Sequence, residues 1–353
     1  MIRLYSLLLF IPSIVLSQIA SLSIEDIWVD YDFYPRNLGD LHWVGDSDFA
    51  KLENQQTFKP NIAAYSIKSG RKTGLLLESK KYENFIKNIF KSKNTSLPEG
   101  ARNLNNFLIS DFQISPDNDI ILLEVGRSSL YRYSTKSYLL IYDMKNSVFS
   151  FLPTKSKVFC PQFSPNGQYI SFISGNNIFI YDIKKETTKK LTKNGYKNEI
   201  INGMSDWVYE EEFELTQAYE WSPDSKQIAY ISFDETEVKT YNMQIWGNDL
   251  YPTNYIYKYP KAGEPNSKIS VFTVSVDLAV ITLLKDYSKE DIYIPRLYWL
   301  KDKVTILKMN RLQNELVVLQ FDHSKKRKEQ ILYKENAENY IAVSYTHLRA
   351  HET

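Results

Sequence analysis

Three segments of this chain repeat one unit: a bulky aromatic residue, a Ser-Pro-Asp/Asn turn and an alternating strand. They span Phe112 to Ile121, Phe163 to Phe172 and Trp221 to Tyr230. In each, serine opens the turn, proline fixes φ at the second position, and Asp or Asn tolerates the third. The strand that follows alternates with period two and has one apolar face. Further strands end on the same triplet, Ile141-Tyr142-Asp143 and Ile180-Tyr181-Asp182, and a degenerate earlier unit runs from Leu41 to Tyr65. Repeats of about 50 residues built from short strands are the pattern of propeller blades. The 26 Tyr, 18 Phe and 6 Trp also favour strands over helices. An all-β chain is therefore expected, with enough apolar residues for a substantial core.

The spacing inside the units locates two insertions. Seventeen residues separate Ser164 from Tyr181, but twenty-seven separate Ser115 from Tyr142. The ten extra residues fall around Gly126 to Lys136 and contain Arg127 and Arg132. The second insertion, Asp206-Trp207-Val208-Tyr209-Glu210-Glu211-Glu212, lies between Thr192 and the turn at Ser222. Insertions on blade loops are where a repeat scaffold usually carries function. Three consecutive carboxylates repel one another and must be solvated or matched to a cation. Neighbouring helical residues point about 100° apart, so Glu211 and Glu212 can share one cation only near a helix end or in a tight turn. The alternative reading of such a run is a solvated helix face. Residues 78–97, with a Phe85/Ile86/Ile89/Phe90 stripe, read as a surface helix or excursion packed on the propeller rim.

Several chemistries are excluded. A net charge of +1 argues against nucleic-acid binding, which needs a basic field. The string nearest to a Gly-x-Ser-x-Gly elbow, Gly203-Met204-Ser205-Asp206-Trp207, lacks the second glycine. The four histidines (His42, His323, His347, His351) have no triad context. No metal-ligand spacing and no phosphate loop occurs, so no cofactor is expected. Cys160, the single cysteine, sits in an apolar setting and reads as a buried thiol.

The first seventeen residues have the build of a signal peptide: Arg3, an apolar run from Leu4 to Leu16, and a small-residue cleavage site before Gln18. Export to a periplasm or the exterior is expected, with an uncleaved N-terminal anchor as the alternative. Residues 18–343 form the propeller region. Residues 344–353 break the strand pattern, hold two of the four histidines and resemble translated adapter sequence.

The segment 206–212, its spacing to Trp221, then Phe233 to Val238 and Tyr259-Pro260-Lys261-Ala262-Gly263 together resemble the dipeptidyl peptidase IV family. The resemblance runs from Ile24 to about Val343. It implies an eight-bladed propeller followed by an α/β-hydrolase domain, of which this sequence would be a partial, C-terminally truncated propeller of about five blades with no catalytic triad. It further implies that Glu211 and Glu212 grip the free amino terminus of a peptide substrate. Arg132, eleven residues before Asp143, matches the family's arginine that contacts the substrate carbonyl; Arg127 is the fallback. Asp206, Trp207 and Tyr209 would support the segment, with Tyr131 and Tyr133 as walls and the turn at Tyr259 as structural. An α-ammonium carries three donors and has an ordinary pKa of about 8, so two carboxylates would hold it charged. The implied activity is release of N-terminal dipeptides with Pro or Ala second, and the implied full-length protein can be a homodimer. The alternative is a non-catalytic, stand-alone propeller that binds peptides or acts as a scaffold.

Overall fold

The computed structural model of the protein describes residues 22–30, 33, 41–53, 60–91, 103, 107–322 and 329–342. The signal-peptide region, a sequon at Asn94, the basic run 325–328 with His323, and residues 344–353 lie outside these. Two units are distinguished, residues 1–39 and 40–353. In the first, helix α1 (Ile24–Trp28) is opened by a capping box: Ser23 Oγ accepts from Asp26 N–H, and the Asp26 carboxylate accepts from Ser23 N–H.

The second unit is built from antiparallel sheets. The first blade contains β1 (His42–Val44), β2 (Asp48–Glu53), β3 (Asn61–Ser66) and β4 (Lys72–Leu77), paired in that order. Helix α2 (Ser79–Lys91) follows where the apolar stripe predicts it. It buries Tyr82, Ile86 and Ile89, and stacks Phe85 on Phe149 at 4.6 Å. The second blade is β5 (Ile109–Ile114), β6 (Ile120–Ser129), β7 (Thr135–Asp143) and β8 (Val148–Phe151); the third is β9 (Val158–Phe163), β10 (Tyr169–Ser174), β11 (Asn177–Asp182) and β12 (Thr187–Lys190). A short β7–β9 pairing joins the two.

Next come β13 (Ile200–Asn202), helix α3 (Trp207–Phe213), and β14 (Tyr219–Trp221) and β15 (Gln227–Asp234) of the fourth blade. An exposed hairpin, β16 (Thr240–Ile245) and β17 (Thr253–Lys258), precedes that blade's last strands, β18 (Lys268–Ser275) and β19 (Ile281–Asp286). The fifth blade is β20 (Ile292–Leu300), β21 (Lys303–Asn310), β22 (Glu315–Phe321) and β23 (Glu329–Asn336). The described strands make part of a propeller and do not close on one another.

The Ser-Pro units share one geometry. The N–H groups of Asn118, Gly167 and Ser225 donate to the carbonyls of Ser115, Ser164 and Ser222, each at 2.8 Å. These three donors sit in the left-handed region, with φ of 58°, 70° and 60°. Each serine hydroxyl donates to the Asp or Asn two residues on and accepts, at 2.9 Å, from the N–H five residues on. The serines are buried, so this double use satisfies groups that water cannot reach.

Side-chain hydrogen bonds stitch neighbouring blades together. His42 Nε2 lies 3.1 Å from Asp111, between the first and second blades. Gln113 donates to the Pro161 carbonyl at 2.7 Å, Trp221 Nε1 to Ser171 Oγ at 2.8 Å and Trp299 Nε1 to the Glu220 carbonyl at 3.0 Å. Cys160 lies in β9 at φ 48°, beside a register shift opposite Ser171 and Ile173. The residue is half-buried where the sequence suggests a buried one, but burial of the sulfur still pushes its thiol up to about 12, so it stays protonated.

Candidate functional site

Both insertions take definite form. The ten extra residues of the second blade lengthen the β6–β7 hairpin itself, beyond a register shift between Val125 and Ser128. Its tip, closed by Leu130 N–H donating to the Ser134 carbonyl at 2.9 Å, carries Tyr131, Arg132 and Tyr133. The carboxylate run forms α3, a helix of barely two turns. Asp206 caps its start: one carboxylate oxygen accepts from Tyr209 N–H at 3.0 Å, the other from Ser267 Oγ–H at 2.6 Å. Glu214, in the left-handed conformation with φ 52°, ends it. Arg296, from β20, donates to the Phe213 carbonyl at 2.9 Å and so caps the C-terminus with a buried cation.

Burial divides the residues of α3. Val208, Tyr209, Glu210 and Phe213 are buried. Tyr209 is fully enclosed; its ring packs edge-on to Phe233 at 4.8 Å, and its hydroxyl accepts from Ile294 N–H at 3.0 Å. Trp207 rests on Tyr259 at 4.3 Å, which gives the Tyr259 turn its structural role. Glu211 is half-buried, and Glu212 projects to solvent in the last turn. The two glutamates therefore sit at a helix end, where adjacent side chains can converge on one cation.

The hairpin tip and the helix meet through three carboxylates, the weakest contact being Tyr133 Oη–H donating to Glu214 at 3.5 Å. Arg132 Nε lies 3.1 Å from Glu211, across 79 positions of sequence. The arginine side chain is 65% exposed and its partner 21%, so the pair stands at the surface, open to a ligand. Glu210 does something the sequence reading did not anticipate. Its carboxylate accepts from Tyr133 N–H at 2.5 Å and Ser134 N–H at 2.9 Å, latching the hairpin onto α3. Helix phase alone does not single it out: at about 100° per residue Glu210 lies about 60° beyond Phe213, and its burial comes from the hairpin that closes over it. Arg127 is not brought to this site. It pairs with Asp111 at 3.2 Å and Glu124 at 3.6 Å, beside His42.

The surroundings are acidic and dry. Burial raises the Asp206 carboxyl, and burial together with the charge of Asp206 raises Glu235 to about 7. Tyr131 is held protonated, first by burial and then by the acidic groups around it. The ring of Tyr131 faces Tyr257 at 6.0 Å, and Tyr257 continues into Tyr241 and Tyr259. Among the described residues no group of His, Cys, Asp and Glu could hold a metal ion. Two carboxylates near the end of a short helix, one of them paired with an arginine, are groups that can match a cation.

The family model of the dipeptidyl peptidase IV N-terminal region matches residues 115–351. The chain belongs to the dipeptidyl peptidase IV family. The match ends inside the ten residues set apart above. Prolyl endopeptidase FAP of Homo sapiens is 31% identical over 288 residues, 78% of this chain and 34% of that protein. Inactive dipeptidyl peptidase 10 of Mus musculus is 29% identical over 218 residues, 59% of this chain and 27% of that protein. The crystal structure of Porphyromonas gingivalis dipeptidyl peptidase 4 superposes with a TM-score of 0.76 at 28% identity, covering 90% of this chain and 43% of that one. The chain thus spans about a third of the length of the curated relatives it matches.

Proposed function

We propose that this chain is the substrate-selecting propeller portion of an exported serine exopeptidase that releases dipeptides from free peptide N-termini, with Pro or Ala second. The observation that carries the reading is the Arg132–Glu211 pair at the end of α3, with Glu212 exposed beside it. Glu211 and Glu212 take the α-ammonium, and Arg132 offers its remaining guanidinium donors to a substrate carbonyl. Anchoring the amino terminus fixes how far along the peptide the cut falls. The triad belongs to a hydrolase domain outside this sequence.

A second reading, a propeller that binds peptides without catalysis, is favoured by the likeness to inactive dipeptidyl peptidase 10. Both readings require the amine site, so binding is tested first. Calorimetric titration with Ala-Pro-amide and its N-acetyl twin should show binding of the free amine alone. Glu211→Gln, Glu212→Gln and Arg132→Ala should each weaken it about tenfold or more. Equal binding of both twins would refute the amine site. Assay of the product of the intact gene on an Ala-Pro anilide then separates the readings: turnover marks the peptidase, its absence the binding propeller.

A further inference from the structure

The seam between the second and third blades holds a recess that the amine site does not use. Strand pairing sets Lys136 opposite Phe159 and Ser137 opposite Val158. Residues two apart on a strand share a face, so Lys136, Tyr138 and Phe159 project to one side, and Lys157, just before β9, reaches over the Tyr138 ring there. Ser128 pairs with Lys136 across the β6–β7 hairpin, and Ser174 and Gly175 close the far wall from the β10–β11 turn. With Ser156, these residues line a volume of about 480 Å³.

The charge balance of this recess is unusual. Two half-buried lysines line it, and no carboxylate does. The Lys157 ammonium donates to Ser128 Oγ at 3.3 Å and lies 5.5 Å from the centre of the Tyr138 ring, two weak substitutes for a counter-ion. Burial, and then the charge of Lys136, depresses the Lys157 pKa. An ordinary surface lysine would swing into water instead. Here β pairing fixes Lys136, and the Ser128 and Tyr138 contacts hold Lys157 on the same side.

We infer that this recess is an anion subsite in which Lys136 and Lys157 grip one oxyanion and the hydroxyls of Ser128, Ser156 and Ser174 complete its hydrogen bonds. The ligand class is a phosphate or a carboxylate, either a free anion or an acidic side chain of a bound peptide. Lys136 sits four residues beyond Arg132 on the same hairpin, so occupancy also steadies the strand that presents Arg132.

Calorimetry of the full chain with inorganic phosphate, at ionic strength held constant with chloride, tests this. Phosphate should bind, and Lys136→Gln and Lys157→Gln should each weaken it about tenfold, while Lys193→Gln at an exposed site leaves it unchanged. Melting curves in chloride check that the variants fold. Unchanged phosphate affinity in the double variant, or no binding beyond the chloride control, overturns the inference. The second arm compares a free-amino peptide bearing Glu with its Gln twin. Tighter binding of the Glu peptide, competed by phosphate, assigns the subsite to substrate. Equal binding of the twins with phosphate still bound assigns it to a free anion.

Discussion

Replacing Glu210 by Ala should do far more damage than replacing Glu211, although the two stand side by side in one acidic run. Glu210 is about 1% exposed, and its carboxylate receives two backbone N–H groups from the hairpin tip. A hydrogen bond to a charged group contributes about 1.5–3 kcal/mol, and a buried donor left without a partner carries its full desolvation cost. Loss of both bonds should therefore cost about 3 kcal/mol or more. Glu211 faces an arginine that is 65% exposed, and a pair of that kind contributes at most about 1 kcal/mol. With a urea slope of about 3 kcal/mol per molar, Glu210→Ala should lower the unfolding midpoint by about 1 M and Glu211→Ala by a third of that at most. Glu210→Gln keeps one acceptor and should fall between. The assay is urea denaturation followed by tryptophan fluorescence. If Glu210→Ala moves the midpoint no further than Glu211→Ala, the latch assignment fails.

Glu220 and Glu235 are both raised by burial to about 7, Glu235 also by the charge of Asp206. In the unfolded chain they ionise near 4.5, so between about 4.5 and 7 the folded state holds protons that the unfolded state has released. Stability should fall across that window by up to about 3 kcal/mol per group and then level off; Glu220→Gln and Glu235→Gln should flatten the curve of melting temperature against pH. Asp111 behaves oppositely. Burial raises its carboxyl, but His42, the Phe112 N–H and Arg127 outweigh that and hold it below the usual range. Its contribution should be lost as pH falls below about 4, and Asp111→Asn should remove that acid-side loss while lowering stability at pH 5, measured by thermal melts. Arg296→Met should free the last carbonyls of α3 and cost about 1–3 kcal/mol. It should also weaken amine binding through Glu212, which wild-type-like titration of Ala-Pro-amide would disprove.

The blade pattern was legible because the unit is local. Ser115, Ser164 and Ser222 each open a turn whose hydrogen bonds close within five residues, so the sequence string contains the whole device. The helix at 79–91 was legible for the same reason, its stripe being periodic. What escaped were contacts that cross blades. The partner of His42 stands 69 residues away at Asp111, and the C-terminal cap of α3 comes from Arg296, 83 residues beyond Phe213. The role of Glu210 was hidden by its neighbours: three identical letters conceal that one is buried, one half-buried and one exposed. The Lys136–Lys157 recess also depended on strand register, which spacing between repeats does not fix.

On the proposed reading of the site, these contacts separate holding from binding within a single short helix. A fully solvated glutamate run would be too mobile to place two carboxylates on one ammonium, and a fully buried one could not be reached. Glu210 removes that conflict by spending its charge on backbone N–H groups that fix the hairpin, and Asp206 and Arg296 pin the two ends of α3. Glu211 then needs only a surface arginine to hold its rotamer, and the exposed Glu212 would be left to meet a ligand. The same hairpin presents Arg132 at its tip and Lys136 near its base, so its latch to Glu210 sets the position of both cations. A change at Glu210 should consequently disturb amine and anion binding together, whereas a change at Glu212 or Lys157 should disturb one and spare the other.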